Sequence, residues 1–246
     1  LITIFRGGII PPFFYIHMRG LIKYFLIIFF IANASSQDKL FTIIDPDQTG
    51  IHFSNDLIDT KENNVFLYAN FYGGAGVGVG DFDNDGLDDL FFAGNLVDDK
   101  IYKNLGNLKF QDKTPNSGII NDSSWSTGVT VADVNNDGLL DIYVSCELYD
   151  DQPKLRTNKL YINKGNFEFD ELAAEWNVDV DRRTRHAVFF DYNKDGLLDL
   201  YLLNHPPNTG NFSPFLGTDM KLPEYNLQLF ENKEGFFEDV TAKAGL

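Results

Sequence analysis

After residue 70 the chain breaks into short apolar runs of three or four residues, separated by stretches rich in Asp, Asn and Gly. Val77-Gly-Val-Gly80, Val129-Thr-Val-Ala132 and Ala187-Val-Phe-Phe190 form one set. Leu90-Phe-Phe92, Ile142-Tyr-Val144 and Leu200-Tyr-Leu202 form a second, each with an aromatic in the middle. Ile101-Tyr-Lys-Asn104, Leu160-Tyr-Ile-Asn163 and Leu229-Phe-Glu-Asn232 form a third, and each leads through Gly106, Gly165 or Gly235 to Phe110, Phe169 or Phe237. Runs this short between turn residues predict strands rather than helices. The units close on Thr114-Pro-Asn-Ser-Gly-Ile119, Ala173-Ala-Glu-Trp-Asn-Val178 and Thr241-Ala-Lys-Ala-Gly-Leu246.

Four strands recurring every 50–60 residues or so describe the blades of an all-β propeller. The expected blades cover about 71–119, 124–178 and 182–246 of a propeller-bearing segment at 40–246. Unit length varies mainly between the second and third strands, at about 94–100, 147–158 and 204–226. Insertions confined to one connection fall on one face, where binding loops gather, and 204–226 reads as the recognition loop. Phe41-Thr-Ile-Ile-Asp-Pro-Asp-Gln-Thr-Gly-Ile51 matches the end of a unit and is expected to supply a closing outer strand. Three blades are fewer than the roughly four a propeller needs, so the sequence reads as the N-terminal piece of a longer protein.

Between the first and second strands of each unit lies an acidic nonapeptide: Asp81-Phe-Asp-Asn-Asp-Gly-Leu-Asp-Asp89, Asp133-Val-Asn-Asn-Asp-Gly-Leu-Leu-Asp141 and Asp191-Tyr-Asn-Lys-Asp-Gly-Leu-Leu-Asp199. Oxygen-bearing side chains stand at positions 1, 3, 5 and 9: Asp81, Asp83, Asp85, Asp89; Asp133, Asn135, Asp137, Asp141; Asp191, Asn193, Asp195, Asp199. Such a run is either a solvated Asp/Asn-Gly turn or a cation site. Three copies with the same ligand spacing favour the cation, and hard oxygen donors at alternate positions suit Ca²⁺ with its 6–8 oxygen ligands. Gly86, Gly138 and Gly196 at position 6 are expected in the left-handed region. Leu87, Leu139 and Leu197 at position 7 would offer backbone carbonyls while their side chains turn into the core. Position 12 is apolar (Phe92, Val144, Leu202), which excludes an EF-hand, whose loop ends in a bidentate acid and enters a helix. Three Ca²⁺ sites follow.

The formal charge of −16 argues against nucleic acid and anionic membrane surfaces as partners. The single cysteine, Cys146, excludes a disulfide framework and reads as an inert core thiol. Met18–Lys23 is a short basic start, Tyr24–Ala32 is apolar, and Ala32-Asn-Ala34 resembles a cleavage site, so 18–34 reads as a signal peptide. The apolar run is too short to span a bilayer, and 1–17 reads as an over-extended start. The run Asp181–His186 is expected to be a solvated basic patch or an anion contact. His205 suits packing or ligand contact, and Trp125 and Trp176 suit the core or a blade rim.

The stretch Phe71-Tyr-Gly-Gly-Ala-Gly-Val-Gly-Val-Gly-Asp-Phe-Asp-Asn-Asp-Gly86 resembles the FG-GAP (VCBS-type) repeats of integrin α-chain propellers. The unit-closing pattern, Tyr-x-Asn-x-Gly then Phe then Gly-Ile, is similar to exported bacterial proteins related to cartilage acidic protein, which often end in an ASPIC/UnbV domain. The first stretch departs from the pattern in carrying Gly-Ala-Gly76 where Gly-Ala-Pro is usual. The resemblance implies a seven-bladed propeller, Ca²⁺ in the hairpin loops, and binding rather than catalysis. The expected function is an exported, non-catalytic Ca²⁺-binding module for adhesion or protein–protein recognition, secreted, periplasmic or at the cell surface. The alternative is a carbohydrate-binding component of a polysaccharide-binding or degrading system. The partner would be a protein or glycan at the variable loop face, with no membrane span in the mature chain.

Overall fold

Each sequence unit folds as one four-stranded antiparallel sheet, with strands in chain order from one edge to the other. The first sheet holds β1 (Val77–Gly80), β2 (Asp89–Phe92), β3 (Lys100–Asn104) and β4 (Phe110–Asp112). The second holds β5 (Ser126–Ala132), β6 (Asp141–Cys146), β7 (Lys159–Asn163) and β8 (Phe169–Glu171). The third holds β9 (Thr184–Phe190), β10 (Asp199–Asn204), β11 (Gln228–Asn232) and β12 (Phe237–Asp239). The computed structural model describes residues 40–68, 70–120, 122–148, 153–205 and 227–246. Asp45–Leu246 form one unit, distinct from Leu1–Ile44. The expected signal peptide and N-terminal extension lie outside the described residues, as does 206–226 of the expected recognition loop.

The sheets are three propeller-like blades stacked face on face. Every residue of β6 is buried, because the middle blade is covered on both faces, whereas β2 buries only alternate residues. Phe82, Phe91, Ile101, Ile142, Val144 and Tyr161 fill the space between the first and second blades. Tyr143, Leu160, Ile162, Trp176, Leu200 and Phe237 fill the next. Burying such side chains contributes about 1.5–3 kcal/mol each.

The first strands of the three blades lie nearest one another. A Cβ on Gly78 would stand 2.6 Å from Val129 Cγ1, and one on Gly80 would stand 2.8 Å from Leu140 Cδ1. The glycine–valine alternation of β1 is therefore a packing requirement. Thr130 Oγ1 donates to the Ala187 carbonyl at 2.7 Å and Thr127 Oγ1 to that of Thr184 at 2.8 Å, tying β5 to β9.

Residues 41–51 do not form the expected strand. Pro46–Thr49 is a single helical turn, α1, capped by the Asp45 side chain, and residues 41–45 carry no strand. The match to a unit end is realised as a turn instead. Gly50 lies against the Phe110 carbonyl as Gly118 lies against that of Phe169. The equivalent end of the third unit is also helical, α2 (Thr241–Ala244). Each unit end meets the last strand of the following blade: Phe169 N–H donates to Ser117 O at 2.7 Å, and Phe237 N–H to Trp176 O at 2.8 Å. Pro46 and the Asp45 cap favour the helical turn locally.

Candidate metal site

The acidic nonapeptides are the β1–β2, β5–β6 and β9–β10 hairpin connections, at the same end of each blade as the turns between third and fourth strands. Their glycines take the left-handed backbone, φ 86° at Gly86, 87° at Gly138 and 91° at Gly196. Position 4 is left-handed too, at Asn84, Asn136 and Lys194.

Each position-1 carboxylate accepts two backbone N–H groups of its own loop. Asp81 takes Asp85 and Gly86 (3.0 and 2.7 Å), Asp133 takes Asp137 and Gly138 (3.1 and 2.9 Å), and Asp191 takes Asp195 and Gly196 (both 3.1 Å). Asp85, Asp137 and Asp195 at position 5 each accept from the position-7 N–H. The position-9 acids reach across the sheet instead. Asp89 accepts from Phe82 and Asn104 N–H (2.9 and 2.7 Å), Asp141 from Val134 and Asn163 (both 2.9 Å), and Asp199 from Tyr192 and Asn232 (3.0 and 2.9 Å). One carboxylate thereby joins the loop to the third strand.

In the first loop, one carboxylate oxygen each of Asp81, Asp83 and Asp89 lie within 4.8 Å of one another. Asp83 Oδ1 is buried with no hydrogen-bond partner. An unpartnered buried carboxylate oxygen beside two further acids fits a hard cation. In the other loops Asn135 and Asn193 replace Asp83, and their Nδ2 donates to Asp137 and Asp195 at 2.9 and 2.8 Å. Burial pushes the carboxyls of Asp89 and Asp199 up, and that of Asp141 to about 7. A divalent cation beside these carboxylates would oppose that upward push. Asp195 is held low by its hydrogen bond from Leu197 N–H.

The position-7 side chains do not turn into the core. Leu87 is exposed, and Leu139 and Leu197 are half-buried. Leu87 and Leu139 lie over Gly106 and Gly165 of the adjoining turns. The core takes position 2 instead, Phe82 and Val134, because alternation along the strand carries that side inward at the hairpin entrance.

Sequence reasoning missed the asparagines that end the third strands. Asn104 Nδ2 donates to the Asp88 carbonyl of its own loop. Asn163 Nδ2 donates to Leu140 O of its own loop and to Phe82 O of the preceding one, at 3.0 and 2.9 Å. Asn232 repeats this with Leu198 O and Val134 O, at 3.1 and 2.9 Å. Asn84 Nδ2 also reaches Gly138 O at 3.1 Å. The recurring Tyr/Phe-x-Asn signal was visible in the sequence, but its inter-blade reach was not.

Other candidates resolve as packing. Arg183 is buried rather than solvated: its Nε donates to Leu148 O at 2.9 Å and its guanidinium lies 5.7 Å from the Tyr68 ring. His186 sits on β9, exposed, and burial pushes the His205 imidazole down. Trp125 and Trp176 are buried. Burial in the core pushes the Cys146 thiol up to about 12, as an inert thiol requires.

Residues 81–144 match the family model described as FG-GAP-like repeat, from the first acid of the first loop into β6. Cartilage acidic protein 1 of Xenopus tropicalis is 26% identical over 179 residues, covering 72% of this chain and 27% of that relative. The chain spans about a quarter of the length of that relative. No helix among the described residues is long and apolar enough to cross a membrane. Three four-stranded blades with acidic hairpins give an all-β, propeller-like architecture, of which residues 81–144 are similar to the FG-GAP-like repeat.

Proposed function

We propose that the chain is an exported, Ca²⁺-binding β-propeller module that acts by recognition, in adhesion or protein–protein binding, without catalysis. The observation that carries this reading is the convergence of Asp81, Asp83 and Asp89, with Asp83 Oδ1 buried and unpartnered. Asp81, Asp83, Asp85 and Asp89 would hold the ion in the first loop, and Asp133, Asn135, Asp137, Asp141 and Asp191, Asn193, Asp195, Asp199 in the others. The position-7 carbonyls complete each set. Bound Ca²⁺ supplies charge neutralisation, while the position-9 acids fix the first, second and third strands of a blade together.

A stiff stack of blades then fixes the strand ends from which the 2–3 connections leave, away from the acidic loops. Trp125 and Trp176 are both buried, so neither is available to stack on a sugar. Similarity to cartilage acidic protein 1 supports an extracellular setting.

The test is a calorimetric Ca²⁺ titration of the whole chain, joined to a pull-down from the host surface and a glycan array. Saturable Ca²⁺ binding with capture of a protein partner is expected. Absence of Ca²⁺ binding would sink the metal reading, and glycan binding abolished by altering 204–226 would replace the recognition reading.

A further inference from the structure

The three loops share their nine positions but differ in one residue of the adjoining third strand. It precedes the strand-ending asparagine, and is Lys103 on β3, Ile162 on β7 and Glu231 on β11. Lys103 Nζ makes ion pairs with both Asp83 and Asp85, 2.8 Å from Asp85 Oδ2. Its ammonium lies 5.7 Å from the centroid of the Phe167 ring, on the β7–β8 turn of the next blade. In the second and third loops the side-chain donor to the position-5 acid is the position-3 amide, Asn135 or Asn193. Asn193 Nδ2 also reaches Glu231 Oε1 at 3.2 Å, and Glu231 is paired in turn with Lys233.

We propose that Lys103 is a built-in competitor for the cation of the first loop. Its ammonium neutralises Asp83 and Asp85 in the metal-free protein, so Ca²⁺ must displace it and the first loop fills last. This deepens the Ca²⁺ reading above and rests on it. By carboxylate count alone the order would be the reverse, since the first loop has four acids among its ligand positions and the others have three. Lys103 offsets the additional acid and also stands where a cation bound to the same oxygens would be strongly repelled. Displaced, the lysine leaves the Phe167 ring, so filling of this loop is felt at the contact between the first and second blades.

The test replaces Lys103 with the residue of the second blade, Lys103→Ile, and uses Lys103→Met as a second variant that retains an unbranched stem. Lys154→Met, on the short helical turn of the 2–3 connection at the opposite end of the second blade, removes the same charge elsewhere. Ca²⁺ titrations of the whole chain are followed by calorimetry and by the amide NMR signals of Gly86, Gly138 and Gly196, one per loop. In the wild type the Gly138 and Gly196 signals should saturate before that of Gly86. Either Lys103 variant should tighten the Gly86 site by at least about tenfold, with Lys154→Met within about twofold of wild type. Saturation of Gly86 first in the wild type, or an unchanged Gly86 site in both Lys103 variants while the other loops bind, overturns this inference alone. An equal gain in Lys154→Met also overturns it, as a general charge effect. No Ca²⁺ binding at any loop in any of these proteins overturns the metal reading and this inference with it.

Discussion

At the acidic-loop end, Asp89, Asp141 and Asp199 do the same thing three times, each buried and each accepting one N–H from its loop and one from the third strand. At the opposite end, the residues that precede the third strands reach across to the next blade. Asp99 accepts from Gly94 N–H and Ser126 Oγ, while Asn158 accepts from Cys146 N–H and donates to Thr184 Oγ1. Thr184 passes the chain on to Asn204, and Asn204 to Gln228. Glu147 lies buried beside Arg185, 3.8 Å apart. One end is a device closed within each blade, and the other carries bonds from one blade to the next. The acidic end can be written into nine residues because the partners of its position-9 acids lie within one hairpin and the next strand. The other end keeps the same acceptor place, Asp99 or Asn158, but changes its residue type together with the hydroxyl it meets, Ser126 or Thr184.

The comparison is open to attack at both ends, and the largest effect should come from the metal. Each site filled to a hundred times its Kd adds about 2.7 kcal/mol, so two tight loops give roughly 5 kcal/mol that chelator removes. Hydrogen exchange should show this protection at 81–89, 133–141 and 191–199 and little at Asp99 or Glu147. Equal loss at both ends would erase the distinction. Next, Asp141→Ala in calcium-free buffer strands the N–H groups of Val134 and Asn163 and should cost about 4 kcal/mol in chemical denaturation.

Asn163→Ala removes donors to two loops and should cost about 3 kcal/mol, with the change in exchange rates appearing at Phe82 as well as at Leu140. Effects confined to the second blade would show that the loops are independent. The smallest effect belongs to the other end. Burial pushes the Glu147 carboxyl up to about 7, against an unfolded value of about 4.3. The stability it contributes is therefore full below about 4.3 and is lost as pH rises through about 7. Glu147→Gln should flatten that decline, a difference of about 2 kcal/mol between pH 5 and pH 8 in melting curves. A slope unchanged by the substitution would mean that Glu147 is ionised throughout.

Much of the blade was legible in advance. Val77–Gly80 is a strand with the bounds expected of it, and the other expected runs lie within observed strands that extend by one to three residues. The loop glycines hold the left-handed backbone their position required. What failed was whatever depended on a neighbour. The run 41–51 had the sequence of a unit end but, with Pro46 and the Asp45 cap, takes a helical turn that sets Gly50 against the Phe110 carbonyl. Leu87 looked like a core residue by composition, yet the hairpin sends Phe82 inward and leaves Leu87 over Gly106. The basic run at 181–186 looked solvated, but Arg183 is covered by Tyr68 and by the Leu148 carbonyl.

The sequence by itself determined the three strand-turn units and the oxygen-rich nonapeptides, because alternation, turn chemistry and ligand spacing are properties of a dozen contiguous residues. Only the tertiary structure decided that Lys103 stands among the acids of the first loop, and that Asn163 and Asn232 each hold two loops at once. Those contacts join residues 15 to 100 or so positions apart. Their formation depends on how one folded sheet packs on the next, which no local pattern encodes.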